Sequence, residues 1–332
     1  MTVDAKILRA LRSSAEGSVS GADLSHQLGI SRAAIWARIE ELRSLGYEIE
    51  ASPHRGYRLL ASPDLLHADD LLSRLDGTQV IGRDIRVFQK TTSTNDIIEK
   101  LARDGVAEGA VVFAESQTSG RGRLGRSWVS PAGKGLWFSI LLRPKLTPQA
   151  VTRLTIATAT SLARAVRNAT GVTAQIKWPN DLLIQGRKVS GILTELSAEL
   201  DHVKYVIIGI GMNINLTEND LPAELRPIAT SLRIASGTAI NRPGFAAEVL
   251  RQLDADYRRL NEGEFRGVAE EWESISGTLG QDVEVQTGSR VVRGRAESLD
   301  SDGALLVRTQ HGHLERIMGG DVSLRPSASS KS

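Results

Sequence analysis

Residues 120–131 read GRGRLGRSWVSP. The first six satisfy G-x-G-x-x-G, the dinucleotide-binding fingerprint. Taken at face value they would make the chain a doubly wound α/β protein. That fingerprint works only where its glycines form a sharp turn from a strand straight into a helix. Here SQTS (116–119) separates the loop from the preceding strand-like GAVVFAE (109–115), and RSWVSPAGKG (126–135) is no helix start. With the fingerprint rejected, the fold is expected to be α+β. The loop is then read by its chemistry. Glycines let successive N–H groups converge on an anion, and Arg121, Arg123 and Arg126 supply bidentate contacts to phosphate. Arg/Gly-rich RNA-binding segments are long and repetitive. This loop is short and lies between two strands, so it is expected to order around a small anionic ligand.

The flanking sequence agrees. IRVFQKT (85–91) reads as a strand, and TSTNDIIEKLARDG (92–105) as a helix capped by Ser93 or Thr94 and ended by Gly105. GLWFSILLRP (135–144) places Leu136, Phe138, Ile140 and Leu142 on one face. Thr147 and Pro148 open a helix running to Gly171. VTAQIKWP (172–179), LLIQGRKVSGILTEL (182–196, turning at Gln185–Gly186) and YVIIGIGMNIN (205–215) are further strands, and a helix follows near 244–261. The expected centre is a mixed sheet with helices covering one face. From Ser276 only short strands follow, as in a small β-barrel, and the end of the chain reads as a disordered tail.

The first sixty residues stand apart. Apolar Ile7, Leu8 and Leu11 recur at helical spacing. Ser20 opens a second helix that stops at Gly29, Ser31 opens a third, and two short strands flank PHRG (53–56). That order predicts a winged helix-turn-helix, whose third helix enters the major groove. Its candidate DNA contacts are Ser31, Arg32, Trp36 and Arg38, with His54 and Arg55 on the wing. Residues 1–62 hold eight basic and seven acidic side chains, too even a balance to attract phosphate by charge alone. Trp36 could equally serve a core. The expected division is 1–62, 63–275, 276–326 and a tail at 327–332.

Composition narrows the function. The 332 residues contain no cysteine, which rules out disulfides, thiolate metal sites and a cysteine nucleophile. There is no G-x-x-x-x-G-K-[ST], G-x-S-x-G or H-E-x-x-H, and the six histidines are scattered, so no metal-ligand set is expected. No signal-like or membrane-length apolar run is present. A cytoplasmic protein with no membrane partner is expected. In KWPNDLLIQGRKVSGILTE (177–195), Lys177, Lys188, Asn180 and Asp181 gather around a turn set by Pro179. Together with the arginine loop they form a phosphate-dense set able to hold Mg²⁺ with its nucleotide. TTSTND (91–96) supplies a neutral polar corner. Gly209 and Gly211 in an apolar strand are expected to let a bulky ligand approach the backbone.

TSTND, GRGRLGRSW, KWPNDL, RKVSGILTE and GIGMNIN, in this order, resemble the biotin–protein ligases. With the winged helix in front, nearly the whole chain is similar to the bifunctional biotin ligase and biotin-operon repressors. The resemblance implies a class II synthetase-like centre and an SH3-like C-terminal barrel. It implies activation of biotin by ATP with Mg²⁺ to biotinyl-5′-AMP, then transfer to a lysine of a biotin carboxyl-carrier protein. The adenylate would serve as corepressor for a homodimer on operator DNA.

Carried onto this sequence, the resemblance puts Lys188 where carboxylate meets α-phosphate, with Arg123 and Asp181 as its catalytic companions. Ser93, Thr94, Asn95, Gln117, Arg121, Gly122, Arg123, Lys188, Gly191, Gly209 and Gly211 would bind biotin. Arg121, Arg123, Arg126, Trp128, Lys177, Asn180, Asp181 and Asn213 would bind ATP or the adenylate. The alternatives are a monofunctional ligase with a vestigial winged helix, a lipoate–protein ligase, and a regulator with an inactive enzyme domain. Biotin-dependent release of pyrophosphate separates the enzymes from the last.

Overall fold

The computed structural model describes residues 1–14, 17–53, 55–200 and 202–324; His54 and the expected tail lie outside them. The chain forms two compact units. One comprises residues 1–77 together with 241–247, and the other holds the rest.

In the first unit α1 (Val3–Ser13), α2 (Gly21–Leu28) and α3 (Arg32–Ser44) precede the hairpin β1 (Glu48–Ser52) and β2 (Gly56–Ala61), and α4 (Ala68–Arg74) follows. Each of the first three helices starts where a hydroxyl relieves an unpaired N–H. Thr2, Ser20 and Ser31 accept from Ala5, Ala22 and Ala34. Gly29 ends α2 in the left-handed region at φ +67°. Ile7, Leu8, Leu24, Ile35, Ile39 and Leu42 meet in one core. Gly56 must be glycine: its φ is +86°, and a Cβ would stand 2.1 Å from the Val19 carbonyl oxygen. Trp36 is not in the core; it is 58% exposed.

The second unit is built on β3 (Asp84–Thr91), α5 (Thr94–Arg103), β4 (Ala110–Gln117), β5 (Gly135–Leu142), α6 (Thr152–Thr170), β6 (Gln175–Lys177), β7 (Asp181–Ile184), β8 (Arg187–Glu199) and β9 (His202–Asn213). The seven strands lie in the order β3-β4-β5-β9-β8-β7-β6. Only β3 and β4 run parallel, so the sheet is mixed. The β7–β8 turn at Gln185 (φ 51°) and Gly186 (φ 76°) has both central residues left-handed, the geometry that suits a two-residue hairpin.

Three more helices follow: α7 (Leu232–Ser236), α8 (Arg242–Asn261) and α9 (Phe265–Ser274). Residues of α6 and α8 line one sheet face with Ile140, Leu142 and Ile208. The expected helix start at Pro148 is instead a 3₁₀ turn (Pro148–Val151) that hands over to α6 at Thr152. The opposite face also carries a helix. There Ile98 and Ala102 of α5 pack on Val112, Leu141 and Ile207. The rest of that face is the floor of a cleft.

The chain closes with β10 (Asp282–Thr287), β11 (Arg290–Leu299), β12 (Leu305–Thr309), β13 (Leu314–Ile317) and β14 (Asp321–Leu324). They form an antiparallel five-stranded sheet in the order β13-β12-β11-β10-β14. Val283, Val285, Ala296, Leu305 and Val307 are fully buried in it. Among the described residues no helix is long and apolar enough to cross a membrane.

Candidate active site

Strand register builds the cleft. Asp181, Gly191, Gly211 and Trp137 stand directly opposite one another across β7, β8, β9 and β5. Leu193, Gly209 and Ser139 form the neighbouring row. Both rows face the same side because they are two residues apart, about 7 Å along the strand. The open volume above them is about 470 Å³ and is lined by the TSTND corner, the Gly/Arg loop, Asn180 and Lys188.

Over the Ser139 row sits the neutral polar corner. Ser93, Thr94 and Asn95, at the start of α5, are all nearly fully buried. The backbone N–H of Thr94 donates to Gln117 Oε1 at 2.8 Å, and Gln117 Nε2 donates to Ser130 Oγ at 3.0 Å. Ser139 Oγ lies 2.5 Å from Asn95 Oδ1 and 2.7 Å from Thr94 Oγ1. With one proton to give, Ser139 serves the carboxamide oxygen, and the Thr94 hydroxyl donates in the other bond. Asn95 Nδ2 donates to Glu195 Oε2 at 2.7 Å. An acceptor-only carboxylate on one side and a hydroxyl on the other fix which end of the amide faces which way. Gly209 makes room for this, since a Cβ there would meet Asn95 Oδ1 at 2.3 Å.

At the Trp137 row stands a cation. Lys188 Nζ pairs with Asp181 Oδ1 at 2.6 Å and lies 5.3 Å from the Trp128 ring centre. The Trp128 indole rests on Gly211, where a Cβ would come within 2.5 Å of it. Gly209 and Gly211 therefore accommodate two of the chain's own side chains, which in turn line the cleft. Among the described residues the Trp128 indole Nε1–H is buried with no hydrogen-bond partner.

The Gly/Arg loop is a small internally bonded hairpin. Gly122 N–H donates to the Arg126 carbonyl at 2.7 Å, and Trp128 N–H to the Gly120 carbonyl at 2.8 Å. Its tip turns through Leu124 and Gly125, both at positive φ. Arg121 donates to Asp96 Oδ1 at 2.6 Å and lies 3.7 Å from Glu195, and the Asp96 bond holds its guanidinium above its ordinary pKa. Arg123 points inward and donates to Asn180 Oδ1 at 3.1 Å and to the Gly320 carbonyl at 3.2 Å. Burial pulls its pKa below the ordinary value. Asn180 is itself fixed, its Nδ2 donating to the Ile192 carbonyl at 2.8 Å.

The cleft thus gathers Ser93, Thr94, Asn95, Gln117, Arg121, Gly122, Arg123, Trp128, Asn180, Lys188, Gly191, Gly209 and Gly211. Asp181 reaches it through Lys188. Besides Asp181, three candidates stand outside the lining. Arg126 turns away to pair with Asp321. Asn213 is buried and donates to the Thr230 carbonyl at 2.9 Å. Lys177 lies one strand beyond, opposite Asp181. Ser139, Glu195 and Asp96 were missed by sequence reasoning. Ser139 and Glu195 sit on strands far from Asn95 in the chain, although Glu195 closes RKVSGILTE just as Asp96 closes TSTND.

On the first unit, Ser31 caps α3, and Arg32, Trp36, Arg38 and Arg55 are exposed. Arg38 is tied to Glu41 at 2.7 Å and lies 3.8 Å from Asp4.

Residues 87–213 match the Biotin/lipoate A/B protein ligase family, residues 4–58 an HTH domain, and residues 278–325 the biotin protein ligase C terminal domain. The bifunctional ligase/repressor BirA of Bacillus subtilis is 40% identical over 306 residues, spanning 92% of this chain and 94% of its own. Its namesake in Escherichia coli is 32% identical over 307 residues, spanning 92% of each. A solved biotin protein ligase from Aquifex aeolicus, in complex with biotin and ATP, superposes with a TM-score of 0.63 at 32% identity. It covers 74% of this chain and 100% of its own. Catalytic sheet, N-terminal helices and C-terminal strands all find their counterparts, and the chain belongs to the biotin–protein ligase family, among its bifunctional ligase/repressor members.

Proposed function

We propose that this cleft joins biotin to the α-phosphate of MgATP and passes the biotinyl group to a lysine of a biotin carboxyl-carrier protein. The adenylate then acts as corepressor for the winged helix-turn-helix on operator DNA. One observation carries the enzymatic reading. An orientation-fixed polar corner and the Lys188 ammonium stand at adjacent rows of one sheet face, and Arg121 and Arg123 line the same cleft. Biotin has that polarity, with a neutral ureido ring at one end and a carboxylate at the other.

In the first step a biotin carboxylate oxygen attacks the α-phosphorus, the bond to the β-phosphate oxygen breaks, and pyrophosphate leaves. Two anions must meet, so the chain has to supply positive charge at the junction and hold the reactants in attacking geometry. Lys188 serves there, its ammonium held by Asp181. Arg123 and Arg121 reach the same region from the loop, and Asn180 holds Arg123. Trp128 offers its indole face to the adenine and its unsatisfied N–H to an acceptor. The magnesium ion enters with the nucleotide. In the second step a neutral acceptor lysine attacks the acyl carbon and AMP departs, with Asp181 the carboxylate assigned to receive the proton. The Gly/Arg hairpin shields the anhydride from water.

The ureido ring is matched by Ser93, Thr94, Asn95 and Gln117. Lipoate presents a dithiolane with nothing to bond this corner, and unpaired buried polar groups reject such a ligand. Pyrophosphate release from MgATP therefore should depend on biotin and not respond to lipoate. Equal rates with both would remove the reading. For repression, the ordered loops favour a homodimer presenting two winged helices to an inverted repeat, in the cytoplasm where ATP and carrier protein meet. The division of labour follows residues 1–62 for DNA, 63–275 for chemistry and 276–326 for support of the loop.

A further inference from the structure

Trp36 is an indole without a visible structural job. Trp137, Trp178 and Trp272 are buried at 1% exposure or less, whereas Trp36 on α3 is 58% exposed. Ala33 and Ala37, one turn before it and next to it, are exposed on the same outward surface of the helix. Between Arg32 and Arg38 the exposed surface of α3 is therefore apolar, where a recognition helix usually carries hydrogen-bonding groups.

The helix has three arginines, and two are engaged. Arg38 is bound to Glu41 and approaches Asp4, which holds its guanidinium above the ordinary pKa. Arg43 donates to Glu40 and to the Ile49 carbonyl, so it is turned to the hairpin. Among the described residues Arg32, the first helical residue, is the arginine of α3 without an ion pair. It lines the groove beside Pro53 and Gly56 of the wing, a position for a phosphate. There is no asparagine or glutamine in α3. Guanine is commonly read by arginine and adenine by asparagine or glutamine, while apolar side chains read the C5-methyl group of thymine.

We propose that α3 recognises thymine methyl groups in the major groove, with Trp36 as the principal contact and Ala33 and Ala37 admitting the groove edge close to the helix. Sequence preference in this domain comes from apolar packing on thymine and not from arginine–guanine bonds. The inference rests on the repressor reading above, and the following test separates the two.

The full-length protein, with biotin and MgATP, is used to select duplexes from a random-sequence pool. Each thymine of a selected half-site is then replaced in turn by deoxyuridine, which removes one methyl and keeps the base pair. At least one replacement should weaken binding about fourfold, the effect of uncovering one methyl-sized group. Trp36→Ala should bind more weakly and be indifferent to that same replacement, and Trp36→Phe should regain part of the sensitivity. If every deoxyuridine duplex binds like its thymine parent, the inference is overturned while DNA binding stands. It is equally overturned if the loss is the same in Trp36→Ala, or if 7-deazaguanine replacement is what abolishes binding. If no duplex is enriched, the repressor reading fails and the inference falls with it.

Discussion

Lys188 and Glu195 carry the sharpest consequences for single side chains. Lys188 is held by Asp181 over the Trp128 ring, so its ammonium has a defined place before any ligand arrives. Lys188→Gln should slow biotin-dependent pyrophosphate exchange by roughly 10²–10³-fold, the usual cost of removing one preorganised charge-stabilising donor. Biotin binding followed by calorimetry should weaken far less than the exchange rate falls. Glu195 works at one remove, by orienting Asn95 and lying near Arg121. Glu195→Ala should raise the KM for biotin by about tenfold, the scale of a lost charge-assisted hydrogen bond, with little change in kcat. Glu195→Gln, which keeps an acceptor for Asn95, should recover most of the loss. Equal KM for both variants and the parent would exclude the positioning role. Gly209→Ala puts a Cβ 2.3 Å from Asn95 Oδ1 and should weaken biotin at least as much, read in the same titration.

The TSTND helix start and the β7–β8 hairpin were legible as elements because each announces itself locally, whereas the Gly/Arg stretch was legible only as a loop between strands and not as the internally bonded hairpin it forms. Serine caps, Gly29 and Gly171 as helix ends, and Gln185–Gly186 as a turn all took their expected places. What was hidden depends on register. Ser139 and Glu195 reach Asn95 only because β5 and β8 flank β9 in one pairing frame. Asn213, although inside GIGMNIN, spends its amide on the Thr230 carbonyl. Arg126 looks equivalent to its two neighbours in a charged loop, yet the hairpin alternates its side chains and sends this one to Asp321. Arg123, tied to Asn180 and the Gly320 carbonyl, is the inward one. Arg123→Gly should still form adenylate and release it faster. Rapid filtration should find biotinyl-5′-AMP free in solution, and tight retention by that variant would contradict the shielding role of the loop.

The two units unite a ligase cleft and a DNA-binding helix in one chain, and the proposed link is the adenylate. If ordering of the cleft loops by ligand favours the DNA-bound form, biotin with MgATP should tighten operator binding by roughly 5- to 150-fold, the usual range for coupled sites. A gel shift indifferent to both ligands would leave the winged helix uncoupled from the enzyme. Both roles depend on the chemistry of the cleft, and one assay addresses it without intermediaries. The purified protein is incubated with MgATP and an isolated biotin-carrier domain, with labelled biotin in one tube and labelled lipoate in the other. Label should appear on the carrier's lysine from biotin alone. Label from lipoate, or from neither while biotin still binds tightly, would refute the proposed ligase chemistry.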